Sequence, residues 1–122
     1  MKTVSSVLAA AALVALVSPA LAGPTTVKGR VVDEGCQVKE LIGKGDLTAA
    51  TTMDACAVQC AKRGEPLALL TADGKVYRIE GGLAGNKNAK LVDYVNKVVE
   101  ITGEIAEKDG KATITADALT AQ

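Results

Sequence analysis

Val99-Glu100-Ile101-Thr102-Gly103-Glu104-Ile105, followed beyond Lys108-Asp109-Gly110 by Lys111-Ala112-Thr113-Ile114-Thr115-Ala116-Asp117-Ala118, alternates apolar and polar residues twice in succession. Successive side chains of a strand point to opposite faces, so a period of two describes two half-buried strands. The Asp-Gly pair between them supplies the positive φ that a tight hairpin needs. Val99, Ile101, Gly103 and Ile105 share the inner face of the first strand. Ala112, Ile114, Ala116 and Ala118 share one face of the second, with Lys111, Thr113, Thr115 and Asp117 opposite. Glu100 and Glu104 then belong to a solvated face.

Working outward, residues 67–71 and 75–79 are apolar-rich and joined through Ala72-Asp73-Gly74, which predicts a second hairpin. Residues 26–33 set Val27, Gly29 and Val31 against Lys28 and Arg30, the pattern of a first strand. Between the hairpins, Gly81-Gly82-Leu83-Ala84-Gly85-Asn86 reads as a loop. Leu91, Val92 and Val95 then form an apolar stripe for a short helix over residues 89–95. Five strands with a helix before the last pair is the order of the OB-fold, a small Greek-key barrel. The expected fold is therefore mainly β: a five-stranded OB-like barrel, with a short cysteine-bearing helix inserted after the first strand and a second short helix before the last hairpin. Closure hides the edges that an open sheet would expose.

The chain has 122 residues, and its beginning carries a different signal. One lysine, Lys2, precedes an apolar run over residues 7–17, too short for the ~20 residues of a membrane span. Ser18-Pro19 breaks that run, and Ala20-Leu21-Ala22 has the small-x-small form of a signal-peptidase site. Residues 1–22 are expected to be a signal peptide cleaved after Ala22. Residues 23–122 would then form one exported domain, periplasmic or secreted, with no stable membrane anchor. Losing Lys2 leaves one acidic residue in excess, and Tyr77 and Tyr94 are the only aromatics. Neither a basic footprint nor a stacking platform is present, so nucleic acid is not an expected partner. A core of Val, Ile, Leu and Ala buries little area per side chain, and a cross-link or a bound metal would help so small a domain.

The insert between the first strand and the first hairpin holds all three cysteines. Thr51-Thr52-Met53-Asp54 has the form of a helix start. Lys62 and Arg63 suit a last turn, Gly64 a left-handed cap, and Pro66 blocks continuation. A helix over residues 52–63 places Met53, Cys56 and Cys60 on one face, and Cys36 must join them from the preceding segment. Three readings compete. Cys36, Cys56 and Cys60, with Met53 as a fourth donor, suit copper(I), because thiolate and thioether are soft donors; zinc would take the thiolates but not the methionine. Alternatively Cys36 pairs with Cys56 or Cys60 in a disulfide worth ~3 kcal/mol, stapling a non-enzymatic module that engages a protein or small ligand. Or the sulfurs pack as ordinary hydrophobes.

The run Val27-Lys-Gly-Arg-Val-Val-Asp-Glu-Gly-Cys36, then Ala55-Cys-Ala-Val-Gln-Cys60, then Gly64-Glu-Pro-Leu-Ala-Leu-Leu-Thr-Ala-Asp-Gly-Lys-Val-Tyr77 resembles a family of small exported bacterial proteins without an assigned activity. Its members share G-x-V-V-D-x-x-C, a later C-x-x-x-C, G-x-P-x-x-L-L and a closing strand pair. The resemblance implies an OB-like barrel with a cysteine-bearing insert. Members often carry histidine at the position of Met53, a departure that turns a Cys3His zinc set toward a softer one. C-x-x-x-C is also similar to the motif of copper chaperones of cytochrome oxidase, which add histidine on another fold.

No catalytic residue is assigned. The chain has no histidine, and residues 23–122 contain no serine, so a Ser-His-Asp triad cannot be built. The glycine runs lack the order of a phosphate loop, and Asp33, Glu34 and Glu40 read as a solvated loop near Cys36. The expectation is a monomeric, non-enzymatic protein binding copper(I) or zinc through Cys36, Met53, Cys56 and Cys60 for storage, delivery or sensing. A protein partner is compatible with either reading.

Overall fold

A computed structural model describes residues 23–122. The signal-peptide expectation for residues 1–22 lies outside the described residues. Six strands form one sheet: β1 (Thr25–Asp33), β2 (Leu67–Leu70), β3 (Val76–Glu80), β4 (Val98–Lys108), β5 (Lys111–Thr115) and β6 (Leu119–Ala121). β1 pairs with β2, β2 with β3, β3 with β5 and β5 with β4, and β4 returns to β1, closing a five-stranded barrel. All pairings are antiparallel except β3 with β5, where Tyr77 lies beside Ala112 and Ile79 beside Ile114. That parallel strand pair is the mark of Greek-key closure in an OB-like barrel.

The two expected hairpins are present. Asp109 and Gly110 both have positive φ, 53° and 75°, between the paired Lys108 and Lys111. This is the two-residue turn whose twist matches that of the flanking strands. Gly74, at φ 87°, closes the β2–β3 turn, where the Gly74 N–H donates to the Thr71 carbonyl at 3.0 Å.

Two expectations change. The last strand does not run unbroken to Ala118. Glu104 lies opposite Thr115 while Ile101 lies opposite Leu119, so one extra residue bulges out between β5 and β6. Such a bulge bends the strand, and β6 follows β4 around the curve of the barrel. The second helix, expected over residues 89–95, shrinks to one 3-10 turn at Val92–Tyr94. Asn86, Lys87 and Asn88 just before it are left-handed, with φ of 52°, 52° and 60°, which prevents a longer right-handed helix from starting there. Leu83, Leu91 and Val95 of this connection still bury their side chains in the barrel core with Val31, Leu69, Val99, Ile101 and Ile114.

The insert adds two helices, α1 (Gln37–Leu41) and α2 (Asp54–Lys62), where one was expected. It packs on the outside of β1 and β2. Val32, Ala68 and Leu70 face outward and are buried under Leu41, with Val38 and Ala49 partly covering them. These strands therefore have two interior faces, which explains why β2 is buried at all four positions. α2 lies against the barrel through Ala57 and Ala61, whose small side chains permit close approach. Its C-terminus matches expectation: Gly64 has φ 86°, and Glu65 N–H and Gly64 N–H donate to the Cys60 and Ala61 carbonyls in a Schellman arrangement. Asn88 completes that cap from the β3–β4 connection, donating to the Ala61 carbonyl at 3.1 Å and the Glu65 carbonyl at 2.8 Å. No helix among the described residues is long and apolar enough to cross a membrane.

Candidate metal centre

β1 ends at Asp33, the chain turns through Glu34 and Gly35, and Cys36 precedes α1. The C-terminal half of α2 faces this turn and brings Cys60, followed by Glu65 beyond the cap. One ligand atom each from Asp33, Cys60 and Glu65 lies within 4.8 Å of the others. They line an open pocket of about 430 Å³ with Glu34, Cys36 and Arg78.

Asp33 is the unusual member. It is only 7 % exposed, so the expectation of a solvated carboxylate fails for it. The cause is its position at the end of a strand covered by the insert. Its Oδ2 accepts the Cys36 backbone N–H at 3.0 Å, and it pairs with no cationic side chain among the described residues. The neighbouring carboxylates are differently placed. Glu34 accepts two bonds from Arg78, from Nε at 2.7 Å and from Nη2 at 2.9 Å. Glu40 accepts the Thr52 backbone N–H at 2.9 Å and the Thr52 hydroxyl.

Cys60 is half-buried. The adjacent Glu65 carboxylate, with burial and the negative charges of Glu65 and Asp33, pushes the thiol pKa up; Arg63 opposes the shift. Arg63 Nη2 approaches the Cys60 sulfur at 3.2 Å. The adjacent Cys60 thiol and the Arg63 guanidinium hold the Glu65 carboxyl below its ordinary range. The raised pKa of Cys60 favours the protonated thiol.

The four donors named from sequence do not all meet. Cys36 is exposed and lines the same pocket as Cys60. Cys56 is exposed on α2, and Met53 is half-buried just before that helix. Neither lines the pocket. The three cysteines are free thiols, and no pair is close enough to form the disulfide of the alternative reading. Sequence reasoning did not bring Asp33 and Glu65 together with Cys60. The signal that could have found them was that both flank the insert, Asp33 as the last residue of a strand and Glu65 between a helix cap and Pro66.

Behind the pocket lies a buried polar cluster that the sequence pattern concealed. Arg30, expected on the outer face of β1 beside Lys28, is 2 % exposed because the insert covers it. Its Nη2 donates to Asp54 Oδ1 at 2.8 Å and Asn96 Oδ1 at 3.3 Å, and its Nη1 to the Leu47 and Ala49 carbonyls. Gln37, fully buried, donates to the same Asp54 oxygen at 2.8 Å. Partial burial pushes the Asp54 carboxyl upward. Bonds from the Thr51 hydroxyl, the backbone and Gln37, with the charge of Arg30, outweigh it and leave the pKa lowered.

A pH dependence follows from that sign. Asp54 and Glu40 both have folded pKa values below their unfolded ones, the second chiefly through the Thr52 hydroxyl. Such groups contribute stability that is whole above the unfolded carboxylate range near ~4 and is lost as pH falls through the folded values. The thermal midpoint is expected to stay level from pH 7 to about 5 and to drop below about 4. In Asp54→Asn the drop should be shallower; an equally steep drop would place the acid-sensitive groups elsewhere.

Comparison of the chain with protein-family models, with curated proteins and with solved structures finds no match.

Proposed function

We propose that this chain is an exported, non-enzymatic metal-binding protein that holds one ion where Asp33, Cys60 and Glu65 converge, for storage, delivery or sensing. The observation that carries this reading is Asp33, a buried carboxylate with no salt bridge among the described residues, set beside a thiol and a second carboxylate, Glu65, whose cationic partner Arg63 stands at 3.6 Å on the exposed side. Like charges gathered in a partly buried place favour a cation between them. The hydrophobic run and small-x-small site before residue 23 support export.

The donor set points to a borderline divalent ion such as zinc rather than to copper(I). Two carboxylates and one thiolate are harder, on average, than the three thiolates and thioether of the alternative set, and zinc accepts both oxygen and sulfur. Cys36 lines the same pocket and is a candidate for a fourth donor. Copper(I) would draw instead on Cys36, Met53, Cys56 and Cys60, and would require Cys56 to turn inward.

The test is a competition titration of the reduced protein, with zinc(II) against a chromophoric chelator and copper(I) against its own. One zinc per chain is expected, held more tightly than copper(I) relative to the respective chelators. Loss of an outer partner of a metal ligand alone costs about 10–100-fold in affinity, so Cys60→Ser and Asp33→Asn should each weaken zinc by at least about 100-fold. Cys56→Ser and Met53→Leu should leave it unchanged. Loss of binding in Cys56→Ser and Met53→Leu would move the ion to the sulfur face of α2 and to copper(I). If neither Cys60→Ser nor Asp33→Asn weakens either metal, the metal reading is wrong.

A further inference from the structure

Three segments carry the proposed donors: the end of β1 with Asp33, the turn with Cys36, and α2 with Cys60. A single side chain bonds directly to the first and the last and stands next to Cys36 in sequence. Gln37 accepts the Asp33 backbone N–H on its Oε1 at 3.0 Å. Its Nε2 donates to Asp54 Oδ1 at 2.8 Å, at the first residue of α2, and to Asn96 Oδ1, with Thr51 Oγ1 at 3.4 Å. Asn96 in turn donates from its Nδ2 to the Asp54 carbonyl at 2.9 Å.

The orientation of this amide is forced. Reversing it would set Oε1 against the Asp54 carboxylate and Nε2 against the Asp33 N–H, losing both bonds at once. Gln37 is fully buried, so water cannot take over either end. Its two ends therefore fix the spacing between the β1 terminus and the start of α2. Asn88 fixes the far end of α2 through the Ala61 and Glu65 carbonyls. Between these two clamps, Asp33, Cys60 and Glu65 have little freedom to separate.

Resting on the metal reading above, we infer that Gln37 is a positioning residue of the centre: it touches no metal, and it sets the geometry in which Asp33 and Cys60 meet an ion. Outer partners that orient metal donors act on affinity and on the shape of the ligand field, not only on folding.

Cobalt(II) is the probe, because its visible bands report donor type and coordination geometry. The full chain, Gln37→Met and Gln37→Glu are titrated with cobalt(II) and zinc(II), with thermal unfolding measured on each. Gln37→Met keeps the length of the side chain and removes both ends of the clamp. Gln37→Glu keeps the acceptor for the Asp33 N–H but opposes the Asp54 carboxylate, and it stands in if Gln37→Met does not fold. A folded Gln37→Met is expected to bind one zinc about 10–100-fold more weakly, with shifted cobalt bands. Gln37→Glu should fall between it and the parent. Parental affinity and an unchanged cobalt spectrum in both variants would overturn the inference and leave Gln37 a structural residue.

If the parent itself takes up no metal, the metal reading fails, and the clamp is judged on the metal-free chains by amide hydrogen exchange. Exchange at Asp33 should accelerate more than about tenfold in folded Gln37→Met, which has no acceptor for the Asp33 N–H, while Ile101, deep in the barrel, is unaffected. Equal protection at Asp33 would overturn the clamp as well.

Discussion

Asp54→Ala is expected to lower the stability of the domain by about 3 kcal/mol, a large part of the ~5–15 kcal/mol that holds small domains folded. The reason lies with its partner. Arg30 is 2 % exposed, and among the described residues its Nε has no hydrogen-bond partner and its only ion pair is with Asp54 at 2.8 Å. Removing the carboxylate leaves a guanidinium buried against two backbone carbonyls and a side-chain amide, with no paired carboxylate and only Asp46 acting at longer range.

The reverse change should cost less. Arg30→Met fills most of the same volume, and Asp54, about one-third exposed at 33 %, retains the Thr51 hydroxyl and Gln37 while its free oxygen turns toward solvent. A loss of about 1–2 kcal/mol is expected, from the Leu47 and Ala49 carbonyls that lose their donor. The double variant should resemble Arg30→Met alone, because the penalty in Asp54→Ala belongs to the stranded cation. Urea unfolding of the four proteins measures this cycle. Equal losses for the two single variants, adding in the double, would mean that Arg30 and Asp54 do not act as a buried pair.

The same residues show where sequence reading stops. The strands were legible because alternation is a local property: Val99, Ile101, Gly103 and Ile105 announce a face whatever packs upon it. Arg30 alternates just as Lys28 does, and a period of two cannot tell an outer face in water from an outer face beneath an insert. What decides between them is the packing of the insert on β1 and β2, brought from distant residues such as Leu41. α2 and its glycine cap were legible for the opposite reason, since every signal lies within the helix and its flanks.

Of the candidate centre, only the sulfurs could be seen in advance. Cys36 and Cys60 do share a pocket, as helical spacing and the need for a third segment suggested. Met53 and Cys56 satisfy the same spacing yet do not line it, because the turn at the end of β1 meets α2 near its C-terminus. Asp33 and Glu65 carry no periodic signal at all. Their convergence depends on how the end of α2 is set against the end of β1, a placement held by tertiary contacts from Gln37 and Asn88.

Gly103 gives the second large effect and bears on the barrel itself. A Cβ placed there would lie 2.4 Å from the Thr115 carbonyl oxygen and 2.9 Å from the Ala116 Cβ. The obstacle is chiefly backbone, and it is the backbone of the bulge between β5 and β6. Neither strand can yield alone, because Gly103 pairs on its other side with Thr25 of β1 at the seam that closes the barrel. Overpacking of a well-filled site costs about 1–3 kcal/mol where side chains can shift, and the upper end of that range or more is expected for Gly103→Ala. Gly85 is the control. It has an ordinary φ of −69°, and a Cβ added to it would meet nothing within 4 Å, so Gly85→Ala should be neutral or slightly stabilising through the unfolded chain. Urea unfolding should therefore show a much lower midpoint for Gly103→Ala and an unchanged or higher one for Gly85→Ala, at similar slope. A Gly103→Ala protein as stable as its parent would mean that β4 and the bulge are not held together at this seam, and the closure of the barrel would need another account.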